Sequence, residues 1–146
     1  KRKIKIFIAF SYDPQDKKLT DKIIDYLNRK EFGFDTFIIG DQQDVSFLDE
    51  QIQKNIHESD GIFAIFTKRF SALDLNKEST FLPPPMVTSE VSFAMGRYYG
   101  ISNRGYAGMY EEGLSPRARD LGLIVMRPLR LIPFNRKRVF SDKDYL

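Results

Sequence analysis

Within the first seventy or so residues, three apolar runs alternate with two stretches of helical periodicity, and that alternation restricts the chain to an α/β fold built on a parallel sheet. The first run, residues 4–10, is rich in β-branched and aromatic residues, too continuous for a strand with one face in water. It reads as a buried strand. In Ser11-Tyr12-Asp13-Pro14-Gln15-Asp16, Asp13 suits a helix cap, Pro14 the first helical position, and Asp16 the charge favoured by the helix dipole. Leu19, Ile23, Tyr26 and Leu27 then recur at helical spacing, and Gly33 marks the stop. A second strand is expected over residues 34–39, followed by the polar loop Gly40-Asp41-Gln42-Gln43-Asp44. Ser46 and Asp49 resemble a capping box for a helix carrying Leu48, Ile52 and Ile56, and Ser59-Asp60-Gly61 ends it before a third buried strand at residues 62–67.

Residues 68–85 are polar in the middle and close with three prolines, so the expectation is a long loop with at most one helical turn. A helix over 86–99 follows, with Val87, Val91, Ala94, Met95 and Tyr98 on one face. Beyond Gly100 the pattern gives a short strand at 106–110, a loop at Glu111-Glu112-Gly113, an ambiguous element at 121–126 and a last strand at 129–134. Lys1-Arg2-Lys3 and Arg136-Lys137-Arg138 read as solvated ends. At 146 residues the chain fits one domain, since two halves would each be too small for a comfortable core. The start without Met suggests a piece excised from a longer protein.

Absences narrow the chemistry. With no cysteine, disulfides, thiolate nucleophiles and Cys-based zinc sites are excluded together. Neither G-x-G-x-x-G after a strand nor a P-loop signature occurs, and the single His57 cannot form a histidine metal site alone. The net charge of +3 does not by itself imply nucleic acid, and the basic ends lack aromatics placed for stacking. No apolar run approaches the roughly 20 residues needed to span a bilayer, and no signal peptide opens the chain, so a cytoplasmic protein without a membrane partner is expected.

Ligands of open α/β sheets bind at the carboxyl ends of the strands. Ser11-Tyr12-Asp13, the 40–44 loop and the helix bearing Glu90 should converge there. With Val87 at zero on a helical wheel, Glu90 falls near about 300°, beside Arg97 at about 280° and flanking an apolar face centred at about 20°. It is a boundary carboxylate. The spacing equally admits a first-turn acid favoured by the dipole by about 0.3–1 kcal/mol. Ser11 and Asp13 serve equally as caps, Gly40 as a turn, and Glu111-Glu112 as a solvated loop.

At these positions the chain resembles the Toll/interleukin-1 receptor (TIR) domain family, in its bacterial form. Ile6-Phe7-Ile8-Ala9-Phe10-Ser11-Tyr12 is similar to that family's first box, and Gly33-Phe34-Asp35-Thr36-Phe37 to its second strand. Phe47, Ile52, Ile56, Ser59, Ile62 and Phe63 follow at its spacing, and Met86-Val87-Thr88-Ser89-Glu90 resembles the motif in which an aromatic residue precedes a Glu by four, with Met86 at the aromatic position and Asp44 where a Gly is usual. The ending Ile132-Pro133-Phe134 is similar as well. The resemblance implies a flavodoxin-like three-layer sandwich with a five-stranded parallel sheet in the order 2-1-3-4-5. It also implies cleavage of the nicotinamide–ribose bond of NAD+, a substrate rather than a cofactor, with Glu90 as the catalytic carboxylate. Ser11, Tyr12, Asp13, Gly40, Asp41, Asp44, Phe47 and Met86 would border the substrate. Partners implied are NAD+, other TIR domains through self-association, and a fused sensor domain. Two alternatives stay open: a non-catalytic signalling and assembly module, and a nucleoside deoxyribosyltransferase-like enzyme, whose Glu-bearing helix Ser89-Glu90-Val91-Ser92-Phe93-Ala94-Met95-Gly96 also resembles.

Overall fold

The computed structural model describes residues 4–29, 34–37, 50–68, 70–73, 79–98, 105–114 and 130–146. Its frame is a parallel sheet with helices on both faces. Strand β1 (Ile4–Ala9) pairs in parallel with β2 (Phe34–Phe37) on one side and β3 (Gly61–Phe66) on the other. On the far side of β3, β6 (Gly105–Glu111) continues the ladder, and β7 (Arg130–Phe134) pairs with β6, again in parallel. Strict alternation divides the side chains of β1 and β3 between two cores. Phe7 and Ala9 join Ile62, Ala64 and Phe66 under helices α2 (Glu50–Glu58) and α3 (Pro85–Tyr98). Ile8, Phe10 and Ile65 face helix α1 (Lys17–Leu27) and a short C-terminal helix α4 (Arg136–Ser141) on the other side. Because the paired strands of this sheet all run the same way, the loops after β1, β3, β6 and β7 all emerge at one edge.

Four expectations are corrected. Residues 68–85 are not a plain loop: β4 (Phe70–Leu73) and β5 (Ser79–Leu82) form an antiparallel hairpin, with Phe70 opposite Leu82. Each strand is only four residues long, and the polar middle and closing prolines hid that pairing in the sequence. Helix α1 starts at Lys17, after a turn closed by the Asp16 N–H donating to the Asp13 carbonyl at 2.9 Å, so Pro14 opens the turn and not the helix. Asp16 immediately precedes α1, at the end the dipole favours for an acid, and it is buried. Arg136-Lys137-Arg138 is the first turn of α4, capped by the Asn135 side chain, which accepts from the Arg138 N–H at 3.2 Å; Lys137 and Arg138 are exposed as expected, and Arg136 alone is half-buried. Glu111 is the last residue of β6 and is buried, whereas Glu112 is exposed.

After Glu111 the chain reverses through Gly113 at φ +101°, a conformation that favours glycine, and a Cβ there would lie 3.1 Å from the Lys68 side chain. That turn returns Leu114 to the core, where it bridges Phe81 of the hairpin. The expected capping box at Ser46, Leu48 and the ambiguous element at 121–126 lie outside the described residues. Among the described residues no helix is long and apolar enough to cross a membrane.

Candidate active site

The carboxyl end of β1 passes directly into the first candidate residues. Phe10 and Ser11 are still buried, and the Ser11 Oγ accepts the Asp13 N–H at 3.2 Å. Asp13 in turn uses Oδ1 to accept the Gln15 N–H at 2.8 Å, so its side chain caps the turn ahead of the helix. Tyr12 is half-buried, with its ring tilted against Phe10 at a centroid distance of 4.7 Å. Small polar residues directly after an apolar strand thus make a tight, internally bonded loop.

Helix α3 places Glu90. Val87, Val91 and Ala94 are fully buried, and Glu90, three residues after Val87, is drawn to the same side with only 4% of its surface exposed. The helix begins at Pro85, so Glu90 stands in its second turn, and the first turn carries no acid. The dipole explanation therefore does not account for it. Burial pushes its carboxyl up to about 8 from an ordinary 4.5, and among the described residues no donor or cation hydrogen-bonds it. Burial also raises the Tyr12 phenol, and the charge of Glu90 raises it further, which places the two groups within electrostatic reach of each other. Met86 is half-buried one helical turn before Glu90, on the same side of α3. Tyr12 and Glu90 are thus within electrostatic reach of each other, and Met86 stands one helical turn before Glu90 on α3; Gly40, Asp41, Asp44 and Phe47 lie outside the described residues.

A carboxyl group in this setting holds its proton when the site is empty and gives it up when a positive charge arrives. At neutral pH it is poised for proton transfer, and ionised against a cation it stabilises positive charge strongly, because little water screens it.

A second set of buried acids at the same edge was not anticipated. Asp16 (1% exposed) and Glu111 (5%) share the guanidinium of Arg136: Nη2 donates to Asp16 Oδ1 at 2.7 Å and to Glu111 Oε1 at 2.9 Å, and Nε donates to Glu111 Oε2 at 3.0 Å. The Thr67 hydroxyl donates to Asp16 Oδ2 at 2.8 Å, and the Lys68 N–H to Glu111 Oε1 at 3.1 Å. These bonds hold the Arg136 guanidinium above its ordinary range, the hydrogen bond to Glu111 contributing most. Nothing local in the sequence signals a pair 120 positions apart; the available hint was a Glu directly following an apolar strand. His57 is exposed at the end of α2, and among the described residues no cluster of His, Asp or Glu is arranged to hold a metal.

Comparison with known proteins finds no family model that matches this chain and no curated protein that matches it.

Proposed function

We propose that the chain is a TIR-like effector domain that cleaves the nicotinamide–ribose bond of NAD+, with Glu90 as the carboxylate that faces the breaking bond. The observation that carries this reading is one buried acid, without a cationic partner among the described residues, at the edge where α/β sheets take ligands. Nicotinamide in NAD+ is a cation, so its approach favours ionised Glu90. Breaking the C–N bond sends the electron pair to the ring nitrogen. Nicotinamide leaves neutral, no general acid is needed, and positive charge moves onto the ribose. An ionised carboxylate stabilises or traps that oxocarbenium, as in glycosidases. Attack by water then gives ADP-ribose and a proton; attack by an adenine nitrogen gives a cyclic product. In this reading the parallel ladders are a flavodoxin-like three-layer sandwich of order 2-1-3-4-5, and Ser11, Tyr12, Asp13, Met86 and the residues around Gly40, Asp41, Asp44 and Phe47 border the substrate. Self-association with other TIR domains, in the cytoplasm and under a fused sensor, would complete the active form.

The test is nicotinamide release from NAD+ at high protein concentration. Wild type should release it, and Glu90→Gln should lose activity by a factor on the order of 10³. Equal turnover by both would remove Glu90 from the mechanism. Absence of turnover in an assembled wild-type protein whose signalling survives Glu90→Ala would favour the assembly module, and base exchange between deoxynucleosides the deoxyribosyltransferase.

A further inference from the structure

We infer that Arg136 is a positioning residue for the candidate site: it ties the C-terminal segment to the loop after β1, and so sets where Ser11 and Tyr12 stand relative to Glu90. The inference takes from the proposed function only the importance of Glu90, and its test does not need turnover.

The guanidinium has two limbs. One grips the sheet: the fork onto Glu111, which also accepts the Lys68 N–H, joins α4 to the carboxyl ends of β6 and β3. The other grips the loop: Nη2 reaches Asp16 Oδ1 at 2.7 Å and Nη1 the Gln15 carbonyl at 3.2 Å. From Asp16 the connection continues without a break, because its N–H donates to the Asp13 carbonyl at 2.9 Å and the Asp13 N–H to Ser11 Oγ at 3.2 Å. Thr67 holds the second Asp16 oxygen, leaving the carboxylate little freedom to follow the loop alone. The C-terminal residues reinforce the arrangement from the apolar side. Tyr145 and Leu146 pack in the same cluster as Phe10 and Tyr12, and the Tyr145 hydroxyl accepts the Asn135 N–H at 2.8 Å. A planar fork that serves two carboxylates on separate elements is a task for arginine, which lysine, a point charge, performs poorly.

The two limbs can be cut separately. In the intact chain, Asp16→Asn weakens the loop limb and Glu111→Gln the sheet limb, while Arg136→Lys keeps the charge without the fork. Amide exchange by NMR reads the loop, and titration of the Glu90 carboxyl, which interacts electrostatically with Tyr12, reads the site. Asp16→Asn and Arg136→Lys should speed exchange at Asp13, Gln15 and Asp16 at least tenfold relative to β3, and lower the Glu90 midpoint by a unit or more as water gains access. Glu111→Gln, which leaves the bond to Asp16 in place, should move both readings clearly less than Asp16→Asn does, whatever it does to global stability. If Glu111→Gln moves them as far as Asp16→Asn does, or if Asp16→Asn and Arg136→Lys move neither, Arg136 is only a structural ion pair and the inference fails.

Discussion

Two sets of buried carboxylates stand at the same edge of the sheet and are treated in opposite ways. Asp16 and Glu111 are both almost fully buried, and each is met by the Arg136 guanidinium and by a further donor, Thr67 or Lys68. Glu90 is as deeply buried, and among the described residues no donor or cation meets it. Removing a carboxylate from water costs several kcal/mol unless charge and hydrogen bonds replace the hydration. The first set recovers that cost within the fold. Glu90 does not, and under the proposed function the cationic nicotinamide ring would offset that cost in the bound state.

The contrast can be broken most forcefully at Glu90 itself. Its folded-state value is raised, so the folded protein binds one proton more than the unfolded chain between about pH 4.5 and about pH 8, and stability falls as pH rises through that window. Glu90→Gln, which resembles the protonated acid, should match wild type near pH 4.5 and exceed it by up to about 5 kcal/mol near pH 9, measured by urea denaturation at each pH. A difference that stays flat with pH would mean that Glu90 has a partner. Next in size is Arg136→Ala, which strands two buried carboxylates and should cost about 3–5 kcal/mol in the same assay at pH 7. Thr67→Val removes one hydroxyl from the Asp16 carboxylate and should cost about 1.5–3 kcal/mol. The smallest effect belongs to a pair outside both sets: Lys17 and Asp21, 3.2 Å apart on the exposed face of α1, where Lys17→Ala should change stability by no more than about 0.5 kcal/mol, an effect that shrinks further as salt is added.

What the sequence shows and what it hides follow the same division. The parallel ladders were legible because β1 and β3 are apolar on both faces, and α1, α2 and α3 because their periodicity is local. Glu90 was legible only as a boundary residue: a wheel cannot tell how wide a stripe a helix buries, and α3, packed against β1 and β3, buries a broad one that takes in Val87, Glu90, Val91 and Ala94. The hairpin of β4 and β5 is too short for periodicity to register against a polar middle. Asp16, Glu111 and Arg136 sit in a turn, at a strand end and at a helix start, positions where charged residues are usually solvated, and only the fold brings them together.

The pH dependence of NAD+ cleavage tests the account of Glu90 most directly. If the ionised carboxylate is the working form, kcat/KM for wild type rises about tenfold per pH unit from pH 6 and levels off near pH 8, the value burial gives the free protein, and Glu90→Gln shows no such limb. A profile that is flat from pH 6 to 9, or a Glu90→Gln variant that keeps the wild-type limb, would contradict it.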